Sequence, residues 1–356
     1  MRRLLLAGAG HAHLALLASL AEQPVRGLRI TLVSPRARQI YSGMLPGVIA
    51  GHYRSAQAEI DVAGLAERAY VEFRPGAVAR FDAQQRAVVL HDGTGLAYDL
   101  ASFNVGSRID ASIPGAGYAT VVKPFESLLE RLERGAFKRI AIAGGGAGGA
   151  EIAMALRFHG AAVTLYSEQP MTPPAFAARV ERVLRGMGVD FRPGMRAGAI
   201  EPGPLVVAGA ARQEFDLVLL ATGAAPLPWL KSSGLERDAR GFVLVRETLQ
   251  STSHPEVFAS GDCASLRGAE LPKSGVYSVR QGEALAQTFR NLAQGLHPVA
   301  FKPQRRALLL LSCGRRHAIA QWGGWTAQGA WVWRWKNRID RAWLRRLAGE
   351  KRAGKK

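Results

Sequence analysis

Two clusters of glycine carry the most specific chemistry in this chain: Gly8-Ala9-Gly10 near its start and Gly144-Gly145-Gly146-Ala147-Gly148-Gly149 further on. Each follows a short apolar run (RLLLA from Arg3, RIAIA from Arg139) and opens an Ala- and Leu-rich stretch. A glycine turn between strand and helix lets the backbone approach a diphosphate closely. The unpaired N–H groups and positive dipole end of the helix then offset its charge. Two such turns predict two dinucleotides, and a flavin facing a nicotinamide would fit, so the expected chemistry is hydride transfer. Two side chains beside these signals could take part: Glu151, two residues beyond the second turn, and Lys273 ahead of a helical stretch; Asp262, in the run Ser260-Gly261-Asp262-Cys263, would bind the cofactor.

The two fingerprints differ in detail. In the first, His13 replaces the third glycine, and the second strand ends in Ser34 where an acidic partner for a ribose hydroxyl is expected. His11 and His13 read either as polar contacts to the ligand or as packing residues at the helix start, and no metal-ligand spacing involves them. The second fingerprint is complete in Gly144, Gly146 and Gly149. Its second strand ends Tyr166-Ser167-Glu168, with no arginine there to pair with a 2′-phosphate, so NADH is expected over NADPH. Asp262 follows an apolar strand, at the end where α/β sheets bind ligands. The helix starting at Ser274 and Gly275 would aim its positive end at a flavin ring that gains charge on reduction. Lys273 either reinforces that field or is a solvated surface lysine. Gly106, Gly223 and Gly261, each just past a strand, complete the expected cofactor-binding set.

These residues need a scaffold. A strand, turn, helix and strand run from Arg3 to Val33, and the pattern restarts at Arg139 with a helix from about Ala150 to Phe158 and a strand at Ala162 to Tyr166. Continuous apolar runs such as Asp216 to Ala221 are those of buried parallel strands. The fold class expected is α/β, with two Rossmann-like dinucleotide-binding domains, one inserted in the other. Residues 1–122 and 248–300 form the FAD-binding domain, 123–247 the NAD(P)H-binding domain, and 301–356 a C-terminal interface segment.

The 356 residues hold only two cysteines, Cys263 and Cys313, with neither CxxC nor CxxxxC spacing. No disulfide framework or local dithiol is encoded, which favours a reducing cytosol. No apolar run approaches the ~20 residues that cross a bilayer. The opening MRRLLLAGAG has the basic-then-apolar look of a signal peptide, but the glycine turn explains it better. A formal charge of +19 could attract anionic lipid, nucleic acid or acidic ligands. No nucleic-acid-binding module is recognisable, so nucleic acid is not expected as a partner.

Six of the seven tryptophans lie between Trp322 and Trp343. From Trp331 onward, Trp335, Ile339, Ala342, Trp343 and Leu347 recur every three to four residues, while Arg334, Lys336, Arg338, Arg341, Arg345 and Arg346 fill the other positions. Such a basic amphipathic helix either lies on an anionic membrane surface over 331–356, or packs its stripe on its own core or on a second copy in a homodimer. The stretch 349–356 reads as disordered. The expected location is cytoplasmic, peripheral on the cytoplasmic face of the membrane.

Taken in order, GAGHAH (8–13), GGGAGGAE (144–151), ATG (221–223) and VFASGDCA (257–264) resemble the two-dinucleotide-domain flavoproteins of the pyridine nucleotide-disulfide oxidoreductase superfamily, over most of the chain. Within it the chain looks most like the single-chain flavoproteins related to type II NADH dehydrogenases and sulfide:quinone oxidoreductases. More narrowly, GHAH, YSGMLPG (41–47) and the WVWRWK tail are similar to a flavoprotein module found fused to selenide, water dikinase, although no dikinase stretch occurs in this sequence. The resemblance implies FAD on Gly8, Gly10 and Asp262, and NAD(P)H on Gly144, Gly146 and Gly149. It also implies that Glu151 lies near both rings to position them or move protons, and that the segment from Tyr41 to Pro46 runs close to the flavin.

Two departures matter. The missing CxxxxC removes dithiol chemistry and disfavours sulfide oxidation by a cysteine pair. The run resembling AQxAxQQG, which lines the quinone site of type II dehydrogenases, is GVYSVRQG at 275–282 and keeps only Gln281 and Gly282. The function expected is an FAD-dependent NAD(P)H oxidoreductase passing electrons to a quinone or another small acceptor. The alternatives are a cytosolic reductase of a small sulfur or selenium compound or of a protein partner, and a low-turnover flavin redox sensor.

Overall fold

The computed structural model describes residues 1–203 and 205–350. Its helices are α1 (His11–Glu22), α2 (Leu45–Ile49), α3 (Val62–Arg68), α4 (Phe125–Glu133), α5 (Ala147–Phe158), α6 (Pro174–Gly186), α7 (Gly275–Ala293) and α8 (Ala330–Ala348). Two five-stranded parallel sheets organise the chain. The first runs in the order Val257–Ala259, Leu100–Phe103, Arg2–Ala7, Leu28–Ser34, Glu72–Pro75, and the second Thr120–Val121, Leu217–Leu220, Arg139–Ala143, Ala162–Ser167, Asp190–Pro193. Both glycine turns therefore leave the central strand of a sheet, where the strand order reverses and a crevice opens at the carboxyl ends. The central strands are apolar on both faces because both are buried, in cores that helices share with antiparallel strands such as Val78–Asp82 and Leu205–Ala208.

The two units cross at a short antiparallel ribbon, Arg108–Ile109 against Ala224–Ala225. This moves the boundaries expected at 122 and 248. Thr120–Val121 already hydrogen-bonds into the second sheet, while Leu230, Leu235, Val243, Val245 and Leu249 pack in the first core. Polar loop composition around Pro226 and Pro228 concealed the return. The segment from Ile40 to Tyr53 crosses in the other direction and packs on the second core beside α5.

Helix α7 starts on Ser274, whose Oγ accepts the Val276 N–H at 3.3 Å. It packs on α1 so closely that a Cβ on Gly282 would stand 2.1 Å from the Ala12 carbonyl oxygen.

The C-terminal segment holds a three-stranded antiparallel sheet, Leu308–Ser312, Ala318–Trp322 and Trp325–Gly329, ahead of α8. Trp322 and Trp325 pair across a Gly323-Gly324 hairpin rather than extending the helical stripe. The stripe itself is divided. Trp331, Trp335 and Ile339 are exposed, whereas Trp343 and Leu347 pack on the first core. Lys336, expected on the solvated face, is buried with Asp340. Gly349 ends α8 in the left-handed conformation. The rest of the expected disordered tail, residues 351–356, lies outside the described residues.

Candidate functional site

The first turn is built around Asn104. A Cβ on Gly10 would lie 2.3 Å from Asn104 Oδ1, and one on Gly8, whose φ is +87°, 2.5 Å from the Asn104 carbonyl oxygen. Asn104 Oδ1 accepts the N–H groups of Ala12 and His13 at 2.9 and 3.2 Å, and its Nδ2 donates to the Ser260 carbonyl at 2.8 Å. This one amide caps α1 and ties the turn to the strand leading into Gly261-Asp262, while the first helical N–H, that of His11, needs an outside acceptor. His13 is fully buried, with Nδ1 2.6 Å from the Gly8 carbonyl and Nε2 2.9 Å from Ser102 Oγ. A carbonyl can only accept, so Nδ1 carries the proton and Nε2 accepts from the serine. Burial drives this imidazole down to about 4. His13 thus braces the turn from behind, as its packing reading expects, and does not line the cleft in front of it.

A cleft of about 860 Å³ opens in front of the turn. Of the expected cofactor-binding set, Gly8, Gly10, His11, Ser34, Gly106, Asp262 and Gly275 line it, as does Lys273. Residues that spacing did not reveal complete it: Tyr41, Ser42, Ser107, Lys123 and Glu126. Asp262 accepts from Ser107 Oγ and Lys123 Nζ, both at 3.2 Å. Lys123, at the root of the inserted unit, is the cation that meets Asp262. Lys273 itself donates to the Ala264 carbonyl and to Ser265 Oγ at 3.3 Å and lies 4.0 Å over the Phe242 ring. Its ammonium is a tether, held below the usual lysine range by burial. His11 packs between Tyr41, Ser42 and the start of α7. Burial holds it below the ordinary imidazole range, with Asp262 pulling it up and Lys123 pushing it further down.

Several expected residues lie outside this wall. Pro46 is buried in α2, and it is Tyr41 and Ser42, five and four residues earlier, that face the cleft. Ser274 caps α7 with its hydroxyl. Gly261 donates its N–H to Gln281 Oε1 at 2.7 Å. Gln281 is buried there, so it and Gly282, the two retained members of the quinone-type run, serve the packing of α7.

The second turn keeps the same logic with a full glycine set. A Cβ on Gly149 would stand 1.9 Å from the Gly144 carbonyl oxygen, whereas one on Gly146 would meet open space at the start of α5. Gly146 therefore borders room for a diphosphate, and Gly149 lets helix and strand close up. Gly223 joins the crossing ribbon, its carbonyl accepting the Asp110 N–H at 2.9 Å. Glu168 follows the strand Ala162–Ser167, with Arg196 at 4.0 Å. An arginine does stand beside this carboxylate, brought there by the fold from 28 residues downstream. Glu151 accepts the Ser312 N–H at 2.7 Å, and burial raises its carboxyl to about 7 even though Lys336 opposes the rise.

The residues present fit two dinucleotides. The first turn closes on Asn104 with no room for a Cβ, the cleft before it carries a carboxylate between a lysine and a serine, and the second turn opens on free space at Gly146.

Comparison with known proteins agrees. Residues 2–282 match the family model described as pyridine nucleotide-disulphide oxidoreductase. A "Nitric oxide reductase FlRd-NAD(+) reductase" of Aeromonas salmonicida is 28% identical over 299 residues, 76% of this chain and 73% of the relative. The ferredoxin–NAD(+) reductase component of the p-cumate 2,3-dioxygenase system of Pseudomonas putida is 31% identical over 202 residues, covering 53% of this chain and 49% of its own. Among solved structures, the sulfide:quinone oxidoreductase of Aquifex aeolicus superposes with a TM-score of 0.82 at 17% identity, covering 99% of this chain and 93% of that one. Paired glycine turns on paired parallel sheets, matched by the family model across both, identify the chain as a member of the pyridine nucleotide-disulphide oxidoreductase family and an FAD-dependent NAD(P)H oxidoreductase.

Proposed function

We propose that this oxidoreductase takes electrons from NADH and delivers them to a quinone at an anionic membrane surface. FAD bound on the first turn supplies a ring that accepts a hydride and passes electrons onward. Gly8, Gly10 and the His11 N–H would hold its diphosphate, Asp262 its ribityl hydroxyls, and Lys123 would orient Asp262. Gly146 and the start of α5 would hold the nicotinamide diphosphate, and Glu168 the ribose hydroxyls, which favours NADH over its 2′-phosphorylated form while Arg196 stays paired to the carboxylate.

The observation that carries the choice of acceptor is an exposed aromatic ladder. Trp325, Trp331 and Trp335 follow one another at centroid spacings of 6.3 and 6.4 Å, with Ile339 one turn on and Arg334 and Arg338 beside them. Tryptophan at headgroup depth flanked by arginine is the pattern of a surface that rests on anionic lipid. Among the described residues no helix is long and apolar enough to cross a membrane.

A protein acceptor is the second reading. It rests on the charge of +19, which would steer an acidic redox protein, and on the relatives named as reductases of redox proteins. An anaerobic titration tests both: NADH should bleach the flavin band, and a short-chain quinone should restore it within seconds. Restoration by a ferredoxin but not by quinone would select the second reading, and no bleaching by NADH would overturn both.

A further inference from the structure

Helix α8 is fastened to a wall of the first cleft along one seam. Trp333, Lys336, Asn337 and Asp340 follow one another at three- and four-residue steps, so they share a face of the helix. Each meets the segment from Tyr41 to Tyr53. Asp340 Oδ1 accepts the Tyr41 hydroxyl at 3.3 Å, and Lys336 Nζ donates to the Gly43 carbonyl at 2.5 Å and to Asp340 Oδ2 at 2.7 Å. Asn337 Oδ1 accepts the Tyr53 hydroxyl at 2.8 Å, and the Tyr53 ring stacks on Trp333 with 6.4 Å between centroids and 11° between planes.

Two glycines admit these contacts. A Cβ on Gly43 would stand 2.7 Å from Tyr41 Cζ, and one on Gly47 would stand 2.4 Å from Tyr53 Cε2. Each tyrosine ring therefore rests against a bare Cα and reaches α8 with its hydroxyl. From the same segment, contacts run on into the cleft. Tyr41 and Ser42 line it, with Ser42 Oγ 3.4 Å from His11 Nε2 and the Tyr41 ring 5.7 Å from the His11 ring. His11 is the first residue of α1 and also touches the start of α7, where a Cβ on Gly275 would lie 3.4 Å from the imidazole. The seam thus reaches the first glycine turn through contacts at every step. Lys336 and Asp340 are 7% and 5% exposed, and the cost of burying them is offset by the partners they give each other and the loop.

We propose that Lys336, Asn337 and Asp340 are positioning residues of the flavin site: from the C-terminal helix they hold Tyr41 and Ser42 in the cleft wall, against His11, and so fix how FAD is bound. The inference rests on FAD occupying the first turn and is independent of the electron acceptor. It makes α8 part of the cofactor site, in addition to the docking face proposed above.

The test measures flavin binding to the full chain: the dissociation constant on reconstituting the apoprotein with FAD, and the position of the visible band of the bound flavin. D340A should weaken binding about tenfold and displace the band. Y53F and N337A should act in the same direction, although neither residue lines the cleft. L347A breaks the packing of α8 on the first core without touching the seam, so it should lower stability and leave both flavin readouts at their wild-type values. Effects on the flavin as large in L347A as in D340A would overturn the proposal by reducing the seam to general packing. Should D340A fail to fold, Y41F and Y53F, which each remove one hydroxyl, decide the matter by the same two readouts. N104A separates the premise from the inference. If N104A binds FAD as the wild type does, FAD is not on the first turn. If N104A loses FAD while D340A, Y41F and Y53F bind it unchanged, the seam alone is overturned.

Discussion

Gly146→Ala separates the ligand's need for glycine from the fold's. The new methyl would meet nothing within 4 Å, and Gly146 sits at φ −65° and ψ 177°, which alanine adopts without strain. The structural penalty reduces to a poorer helix cap, at most about 1 kcal/mol, or about 2–4 °C in Tm for a unit of this size. The methyl does, however, occupy the space through which a diphosphate approaches the α5 N–H groups. Losing one or two charge-assisted hydrogen bonds there costs about 1.5–3 kcal/mol, about 10- to 150-fold in affinity for NADH. Stopped-flow bleaching of the flavin band against NADH concentration reads that change, while the band itself reports an undisturbed first site. Gly149→Ala is the contrasting control: its methyl would fall 1.9 Å from a backbone oxygen, so the second unit must shift and stability drops by about 1–3 kcal/mol or more. An unchanged half-saturating NADH concentration in Gly146→Ala, or a loss of stability as large as that of Gly149→Ala, would refute the assignment of this turn to the nicotinamide dinucleotide.

Three further outcomes are expected. His13 is held neutral down to about 4 in the fold, so the unfolded chain takes up its proton first, and stability owed to His13 is present above pH 6.5 and lost as pH falls toward 4, by about 3 kcal/mol. Glu151, raised to about 7, acts in the opposite sense between pH 7 and 4.5, so the measurement is the difference in urea unfolding free energy between the wild type and His13→Gln, which should shrink as pH falls. Asn104→Ala removes two acceptor contacts and one donor contact at the first turn, and should lower stability by about 2–4 kcal/mol in denaturant titration and reduce flavin retained on purification. Replacing Trp331 and Trp335 together by serine should weaken co-sedimentation with anionic vesicles at least tenfold, about 1.4 kcal/mol, with Tm unchanged because both rings are exposed.

What the sequence disclosed and what it withheld divide along a physical line. The glycine turns, the buried parallel strands and the Ser260-Gly261-Asp262 corner were legible because each is a local constraint, a backbone approach or a run of apolar residues that only a few conformations satisfy. Asn104 and Lys123 were not legible as site residues, because each acts on partners far along the chain: Asn104 on Ala12 and Ser260, Lys123 on Asp262. Tyr41 was expected near the flavin from the family resemblance alone, and its bond to Asp340, 299 residues on, was not legible. Arg196 beside Glu168 was missed for the same reason. The tail shows how a periodic pattern can be read correctly as a helix and wrongly as a surface. Spacing placed Lys336 among the solvated cations, but the helix is held from both sides, by the first core at Leu347 and by the second at Trp333. Its inward face is set by what it meets there.

That inward face carries the argument furthest. An amphipathic helix whose only task was to rest on lipid would bury apolar residues against its own protein and present cations outward. Helix α8 does present Trp331, Trp335 and Ile339 outward, yet it spends two positions of its inner face, one turn apart, on a lysine and an aspartate that bond to each other and to the cleft loop. Apolar side chains of similar size at these two positions would avoid the desolvation cost, but would leave the Tyr41 hydroxyl and the Gly43 carbonyl without these partners. The polar pair is explained by the two cleft-loop groups that it holds. A Lys336→Met, Asp340→Leu double substitution is therefore expected to lower stability by about 1–3 kcal/mol in denaturant titration and to change the flavin absorption band, because the loop that brings Tyr41 and Ser42 to the cleft loses its anchor. A double variant as stable as the wild type, with the band unchanged, would show that the pair does not hold the loop.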